Sequence, residues 1–375
     1  MSTQRSSFHS LRISRLERDT DDAVVISFDI PQALEEAFSF QPGQYLTLRA
    51  SMQGQEVRRS YSICSGLGEP LRVGVRRIPE GQMSSWLHDQ VQEGQSLQVM
   101  PPQGRFGAAL LPWLTGRPSH PTPSSAPHLL MIAAGSGITP ILSLVRTALS
   151  RLPQARVTLL YGNRHVASTL FKEELEDLKN RYLSRLTLHT VFSREIVDAP
   201  ADSPLAAGRL DAARLGVFLH TLVDPRSVDE VFVCGPHELN EEAPQALAAA
   251  GIDPARIHVE RFGAPPAAGA AVGAASRLGD AAQAQVALIR DGLTRQFGYL
   301  ASDESILDAA ARAGLDVPYS CKSGVCATCR CKLLEGEVRM ERNFALEPAD
   351  VQAGFILSCQ ARPLSDRVVV SFDER

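Results

Sequence analysis

Apolar and polar positions alternate in short bursts over residues 1–110: "AVVISFDI", "YLTLRA", "RRSYSIC", "LRVGVRRI" and "SLQVM" are separated by the turn-forming "PGQ", "GEP" and "EGQ". Short runs bounded by Gly and Pro read as strands, and their succession predicts a small antiparallel β-barrel. Between residues 128 and 262 the pattern changes. Continuous apolar runs, "HLLMIAAG", "RVTLLYG", "RLTLHTVF" and "EVFVCG", alternate with helical stretches from about Pro140 to Leu152 and over "STLFKEELEDLKNRY". Such alternation predicts βαβ units on a parallel sheet. Residues 284–375 open with a hairpin pattern, "VALIRDGLTRQFGYL", followed by "SDESILDAAARAG", a helix expected to be capped by Ser302 or Asp303 and ended by Gly314.

Two stretches separate these segments. Residues 111–127 hold Pro112, Pro118, Pro121, Pro123 and Pro127, too many for any helix or central strand. Residues 263–283 are a low-complexity Ala, Gly and Pro tract, expected to act as a flexible tether that lets the third segment move. The fold class is therefore multidomain: an antiparallel β-barrel, an α/β parallel-sheet domain and a third, α+β domain.

Composition narrows the chemistry. Across 375 residues, 38 basic and 42 acidic side chains leave a net charge of −4, which gives no footprint for nucleic acid or an anionic membrane surface. No signal-peptide pattern and no long apolar run occurs, so a cytoplasmic protein is expected. Seven cysteines, four of them inside "YSCKSGVCATCRC", then suggest metal ligands or redox groups rather than structural disulfides. The spacing Cys321-x4-Cys326-x2-Cys329, with Cys359 thirty positions further on, is the plant-type arrangement for a 2Fe-2S centre. Zinc or a disulfide is the competing reading, although structural zinc sites usually present two Cys pairs. Gly324 suits a loop that needs positive φ, while Cys331 is expected to enter a strand and Cys64 to be a buried apolar thiol.

Other strings suit nucleotides. In Arg59-Ser60-Tyr61-Ser62, alternate side chains share a strand face, so a guanidinium for a pyrophosphate sits beside an aromatic ring for a flavin. Gly81, Met83 and Ser84 lie where a helix begins, with N-H groups free to meet a phosphate; an ordinary capped helix is the alternative. Gly135 and Gly137 follow a buried strand in "AAGSGITP", but Pro140 replaces the last small residue of the dinucleotide fingerprint. Cys234-Gly235-Pro236 ends another strand at the carboxyl edge of the sheet. Ser193 and Arg194 end a third, and suit a 2′-phosphate, hence NADPH over NADH, unless Arg194 is merely solvated. Hydrolase signatures G-x-S-x-G and H-E-x-x-H are absent.

In this order the strings resemble the ferredoxin-NADP reductase superfamily joined to a C-terminal plant-type 2Fe-2S ferredoxin domain, over nearly the whole chain. The resemblance implies a flavin domain over 1–110, an NADP domain over 128–262 and a β-grasp ferredoxin domain over 284–375. It implies that Arg59 meets the flavin pyrophosphate, Tyr61 and Ser62 the isoalloxazine, Gly81 to Ser84 the phosphates, and Ser193 with Arg194 the 2′-phosphate. Thr139 and Pro140 would lie by the nicotinamide and Cys234 near its reactive carbon, which makes Cys234, Ser62 and Tyr61 the catalytic candidates. FAD rather than FMN follows from the resemblance alone. "FHSLRI", "FQPGQYLTLRA", "RRSYSICSG", "VMPPQGRFG" and "ERFG" are more narrowly similar to the family of phenylacetyl-CoA epoxidase reductases. The expected activity is transfer from NADPH through FAD and one 2Fe-2S cluster to a di-iron oxygenase. Alternatives are the reductase of another aromatic-ring oxygenase, or a redox-sensing module without turnover.

Overall fold

The computed structural model describes residues 7–118, 126–195, 208–263 and 280–374. The central parts of both connecting stretches, 119–125 and 264–279, lie outside the described residues. Two compact units result, one made of His9–Val57 with Tyr61–Arg261, the other of the chain from Phe262 onward with Phe8 and Arg58–Ser60.

The first unit contains two sheets. Strands β1 (His9–Thr20), β2 (Ala23–Asp29), β3 (Tyr45–Met52), β4 (Gln55–Ser62), β5 (Arg72–Arg76) and β6 (Ser96–Gln103) form a six-stranded sheet in the order β4-β3-β6-β1-β2-β5. An antiparallel bridge between Ile63 and Val73 joins the two edges, so the sheet closes into a barrel and its edge backbone is not left open. Helix α1 (Gln82–Asp89) lies between β5 and β6, and the short α2 (Leu111–Leu114) follows. This last helix corrects the expectation that the prolines of 111–127 forbid any: Pro112 occupies the first turn, where no N-H is needed.

The second sheet is parallel throughout. It comprises β7 (His128–Ala134), then α3 (Ile138–Arg151), β8 (Arg156–Asn163), α4 (Lys172–Arg181), β9 (Leu186–Phe192), α5 (Ala212–Thr221), β10 (Glu230–Cys234), α6 (His237–Ala249) and β11 (Ile257–Glu260). Its order is β11-β10-β7-β8-β9, so the chain reverses direction across the sheet between β7 and β10. That switch point opens a crevice at the carboxyl ends of the two strands. Leu129 to Ala133 and Val231 to Cys234 are all completely buried, as strands covered on both faces must be. The helix expected from Pro140 begins two residues earlier, at Ile138, and α4 starts only at Lys172, because Phe171 adopts a left-handed conformation (φ 56°).

The second unit carries β12 (Gln283–Arg290), β13 (Leu293–Leu300), α7 (Ile306–Arg312), β14 (Arg330–Glu335), β15 (Val338–Met340), α8 (Pro348–Gln352), β16 (Phe355–Leu357), β17 (Ala361–Pro363) and β18 (Arg367–Ser371). Five strands form a mixed sheet, β13-β12-β18-β14-β16, with β12 parallel to β18, and β15 pairs with β17 apart from it. Asp291 and Gly292, both at positive φ, make the tight turn of the expected β12–β13 hairpin. The cap of α7 is Ser305, whose hydroxyl accepts from Asp308 N at 3.2 Å, and not Ser302 or Asp303. Asp303 is occupied otherwise, accepting from Leu300 N and from the Arg312 guanidinium. Gly314 (φ 75°) ends the helix as expected. Among the described residues no helix is long and apolar enough to cross a membrane.

Candidate functional site

Three groups of predicted residues occupy three places. The string Arg59 to Ser62 ends β4, with Arg59 exposed, Ser60 and Tyr61 half-buried and Ser62 buried. One Arg59 nitrogen donates to the Arg58 carbonyl at 2.7 Å. Gly81 is the N-cap of α1 with an ordinary φ of −74°. Its lack of a side chain serves packing: a Cβ there would stand 2.5 Å from Ser84 Oγ. That hydroxyl accepts from Ile78 N at 3.1 Å and donates to Gly81 O, which ties the helix start to the preceding turn, while Met83 anchors it in the barrel core. The first-turn N-H groups of α1 remain directed outward from the helix end.

At the switch point, Gly135 takes φ 55°, Thr139 Oγ1 donates to Ser136 O at 3.0 Å, and Pro140 sits in the first turn of α3. Gly137 has ordinary φ but no room: a Cβ would lie 2.0 Å from the Cys234 carbonyl oxygen. The turn after β7 is therefore pressed directly on the end of β10. Cys234 is completely buried, and burial pushes its thiol pKa well up, with the Glu260 carboxylate adding to the effect. Gly235 follows half-buried and Pro236 exposed, with Asn240 Nδ2 donating to both Gly235 O (2.8 Å) and Glu260 O (3.2 Å). Ser193 and Arg194, both exposed, extend β9, their N-H groups donating to Asn163 O and Arg164 O. Three strand spacings separate them from Cys234, roughly 14 Å along the carboxyl edge.

Sequence reasoning missed Glu260. It ends β11 beside Cys234, and burial raises its carboxyl pKa to about 8 against the pull of Arg261. Its side chain is half-buried, and nothing in a Glu at a strand end announces the raised pKa.

Three of the four predicted ligands lie between α7 and β14 and the fourth, Cys359, between β16 and β17, and they meet in two pairs, Cys321 with Cys326 and Cys329 with Cys359. In each pair the partner thiol, ahead of burial, drives the two pKa values apart, down for Cys321 and Cys359 and up for Cys326 and Cys329. Ser323 N donates to Cys321 Sγ at 3.4 Å, and Gln360 Nε2 to Cys359 Sγ at 3.6 Å. Gly324 (φ 79°) lets the loop turn tightly, a Cβ there coming 3.0 Å from the Arg342 carbonyl oxygen. Ser358 donates through both its N-H and its hydroxyl to Cys329 O, each at 3.1 Å, and binds the segment of Cys359 to that of Cys329. Among the described residues no three His, Cys, Asp or Glu side chains converge on one point. Two thiol pairs are the donor set that a two-iron group takes, two sulfurs per iron. Cys331 lies in β14 and Cys64 beside β5, both completely buried, where burial drives Cys331 upward and Cys64 to about 12.

Comparison with known proteins assigns the same three regions. The oxidoreductase FAD-binding domain matches residues 10–107, the oxidoreductase NAD-binding domain 131–245, and the 2Fe-2S iron-sulfur cluster binding domain 291–364. One component of the 1,2-phenylacetyl-CoA epoxidase of Escherichia coli (strain K12) is 44% identical over 371 residues, 99% of each chain. The ferredoxin reductase component of the 3-ketosteroid-9-alpha-monooxygenase of Rhodococcus rhodochrous is 35% identical over 96% of each. In fold, phthalate dioxygenase reductase covers 99% of this chain and 100% of its own, with a TM-score of 0.56 at 24% identity.

Proposed function

We propose a function that starts from membership: the chain belongs to the oxidoreductases that join FAD-binding, NAD-binding and 2Fe-2S domains in one polypeptide as reductase components of multicomponent oxygenases. It is an electron-transfer enzyme that uses FAD, NAD(P)H and one 2Fe-2S cluster and works with an oxygenase partner. The finer reading is that it is NADPH-dependent and serves a di-iron oxygenase that epoxidises the ring of phenylacetyl-CoA in phenylacetate degradation. The observation that carries it is the 44% identity to the epoxidase component across both whole chains. We assign 1–110 to the flavin, 128–262 to the nucleotide and 284–375 to the cluster, with 111–127 and 263–283 as connectors, and place the protein in the cytoplasm.

When bound, the nicotinamide supplies a hydride, the flavin takes two electrons and releases them singly, and the cluster handles one at a time. The residues have these roles in the proposal. Arg59 neutralises the flavin pyrophosphate with the N-H groups that follow Gly81, and Met83 and Ser84 fix that helix start. Tyr61 supplies an aromatic face and Ser62 a hydroxyl beside the ring, while Ser60 continues the strand between Arg59 and Tyr61. Gly135, Gly137, Thr139 and Pro140 shape the turn that receives the nicotinamide end, and Gly235 and Pro236 border it. Cys234 is a dry, neutral wall there, its thiol kept protonated by burial. Ser193 and Arg194, across the carboxyl edge, take the 2′-phosphate of NADPH. Cys321, Cys326, Cys329 and Cys359 hold the two irons.

The test is anaerobic titration of the purified protein with NADPH and, separately, NADH, followed by reconstitution with oxygenase components. Bleaching of flavin and iron-sulfur bands by NADPH, and phenylacetyl-CoA epoxidation only with the epoxidase components, is the expected result. Turnover with a 3-ketosteroid monooxygenase but not with the epoxidase would move the chain to that oxygenase class, a reading favoured by the 35% identity to its reductase.

A further inference from the structure

We propose that helix α3 is a strut shared by the two halves of the first unit, and that Arg146 and Glu174 are positioning residues that hold it so that nucleotide and flavin meet in register. The proposal rests on the functional reading above.

A helix packed on a sheet normally buries an apolar stripe. On α3, one stripe at helical spacing is polar instead: Thr139, Ser143, Arg146, Thr147 and Arg151, with Ser143 and Thr147 completely buried. Every one of these finds a fixed partner. Thr139 bonds within the turn after β7, as described, and the rest reach the barrel. Ser143 Oγ donates to Ser65 O at 2.6 Å and accepts from Gly43 N at 3.4 Å. Thr147 Oγ1 accepts from Leu67 N at 3.0 Å, and Arg151 donates to Leu67 O at 2.9 Å. The segment they hold, Ser65 to Glu69, follows the flavin string Arg59 to Ser62 with only Ile63 and Cys64 between. One end of α3 is thus the nucleotide turn, and its side is bonded to the continuation of the flavin strand.

A chain of alternating charges, Glu69–Arg146–Glu174–Arg72, locks the contact. Arg146 donates to both oxygens of Glu69 (2.7 and 3.0 Å) and to Glu174 (2.6 Å), and Arg72 of β5 meets Glu174 bidentately at 3.0 Å for each bond. The four side chains are 17 to 35% exposed, so their pairing is less screened by solvent than that of a surface pair. Burial opposes the charge on Glu69, yet bonds from Arg146 and Gly66 N outweigh it and lower its pKa. Steric fit removes the remaining play: a Cβ on Gly74 of β5 would come 2.8 Å from Thr139 Cγ2 and 2.9 Å from the Phe171 ring.

Hydride transfer needs reacting atoms in near-attack geometry, and a displacement of about 1 Å can cost roughly 100-fold in rate. A loosened strut should therefore slow the chemical step and leave binding intact. The experiment is anaerobic stopped-flow reduction of full-length protein, loaded with FAD and cluster, by NADPH over a range of concentrations, for the wild type, Arg146→Met, Glu174→Gln and the double variant. A limiting rate of flavin bleaching about 10-fold lower is expected in each single variant, with the apparent Kd for NADPH within about twofold, weaker long-wavelength nicotinamide–flavin absorbance, and no further loss in the double variant. Arg146→Lys should recover part of the rate. An unchanged limiting rate in both single variants, or a loss traceable wholly to weaker NADPH or FAD binding, would overturn the proposal. If Arg146→Met fails to retain FAD, Ser143→Ala is read by the same criteria. A wild type that NADPH does not reduce would instead remove the functional reading on which the strut depends.

Discussion

The cysteines at the sheets and those in the C-terminal loop are the same residue in opposite circumstances. Cys64, Cys234 and Cys331 are each completely buried, and burial is the leading influence that keeps their thiols neutral. Cys329 and Cys359 are nearly as buried, at 2 and 7% exposure, yet their behaviour is set first by each other. Burial therefore does not separate a structural thiol from a ligand. What separates them is which influence leads: a hydrogen-bonded partner thiol for Cys321, Cys326, Cys329 and Cys359, and burial for Cys64, Cys234 and Cys331, even though Cys359 also acts on Cys331.

The comparison breaks most sharply by substitution. Alanine at Cys321, Cys326, Cys329 or Cys359 is expected to abolish the visible and paramagnetic signals of the cluster while NADPH still reduces the flavin. Cys331→Ala should keep those signals and lose only about 1–2 kcal/mol of stability from the vacated volume. Loss of the cluster in that variant would dissolve the distinction between the two kinds of thiol. A smaller effect is expected on the dry side. Gly137→Ala drives a methyl group into the Cys234 carbonyl and should cost about 3 kcal/mol, a fall in thermal midpoint of roughly 10 °C for a domain of this size. An unchanged midpoint would mean that the turn is not pressed on β10.

The smallest effect concerns the neighbour of Cys234. Glu260 holds its proton up to about pH 8 in the folded protein, against an ordinary value of 4.5. Between those values the folded state binds more protons than the unfolded one, so this residue's contribution is full below 4.5 and is lost as pH rises through about 8. Thermal midpoints of wild type and Glu260→Gln, measured across that window, should converge on the acid side and separate with rising pH, the variant falling less. Parallel curves would show that Glu260 is charged in the native state.

Local patterns were legible in the sequence, and distant enclosure was not. Strands β7, β8 and β10 announce themselves because burial on both faces demands unbroken apolar runs, and the cysteine loop because its ligands lie within a few residues. Strand β1 was missed, since only Leu11 and Ile13 are fully buried along it and Arg12, Arg15 and Arg18 obscure the alternation. Helices α5 and α6 and strand β11 were missed also, their periodicity diluted by Ala, Glu and His. The cap of α7 was placed too early because Ser302, Asp303 and Ser305 are all cap-forming residues, and only the Arg312 partner of Asp303 decides among them. The charged chain of Glu69, Arg146, Glu174 and Arg72 spans more than a hundred positions, so no window of sequence contains it.

The two hydrogen bonds that Ser358 donates to Cys329 O bear on the order in which the thiols come together. Cys321 and Cys326 are five positions apart and can meet by closing a small loop, whatever the rest of the domain is doing. Cys329 and Cys359 are thirty apart and meet only once β14 and β16 are paired, as Arg330 with Leu357 and Cys331 with Ile356. Half of the iron-binding set is thus a local property of the chain and half is a product of folding, so that complete metal binding reports that the sheet has formed.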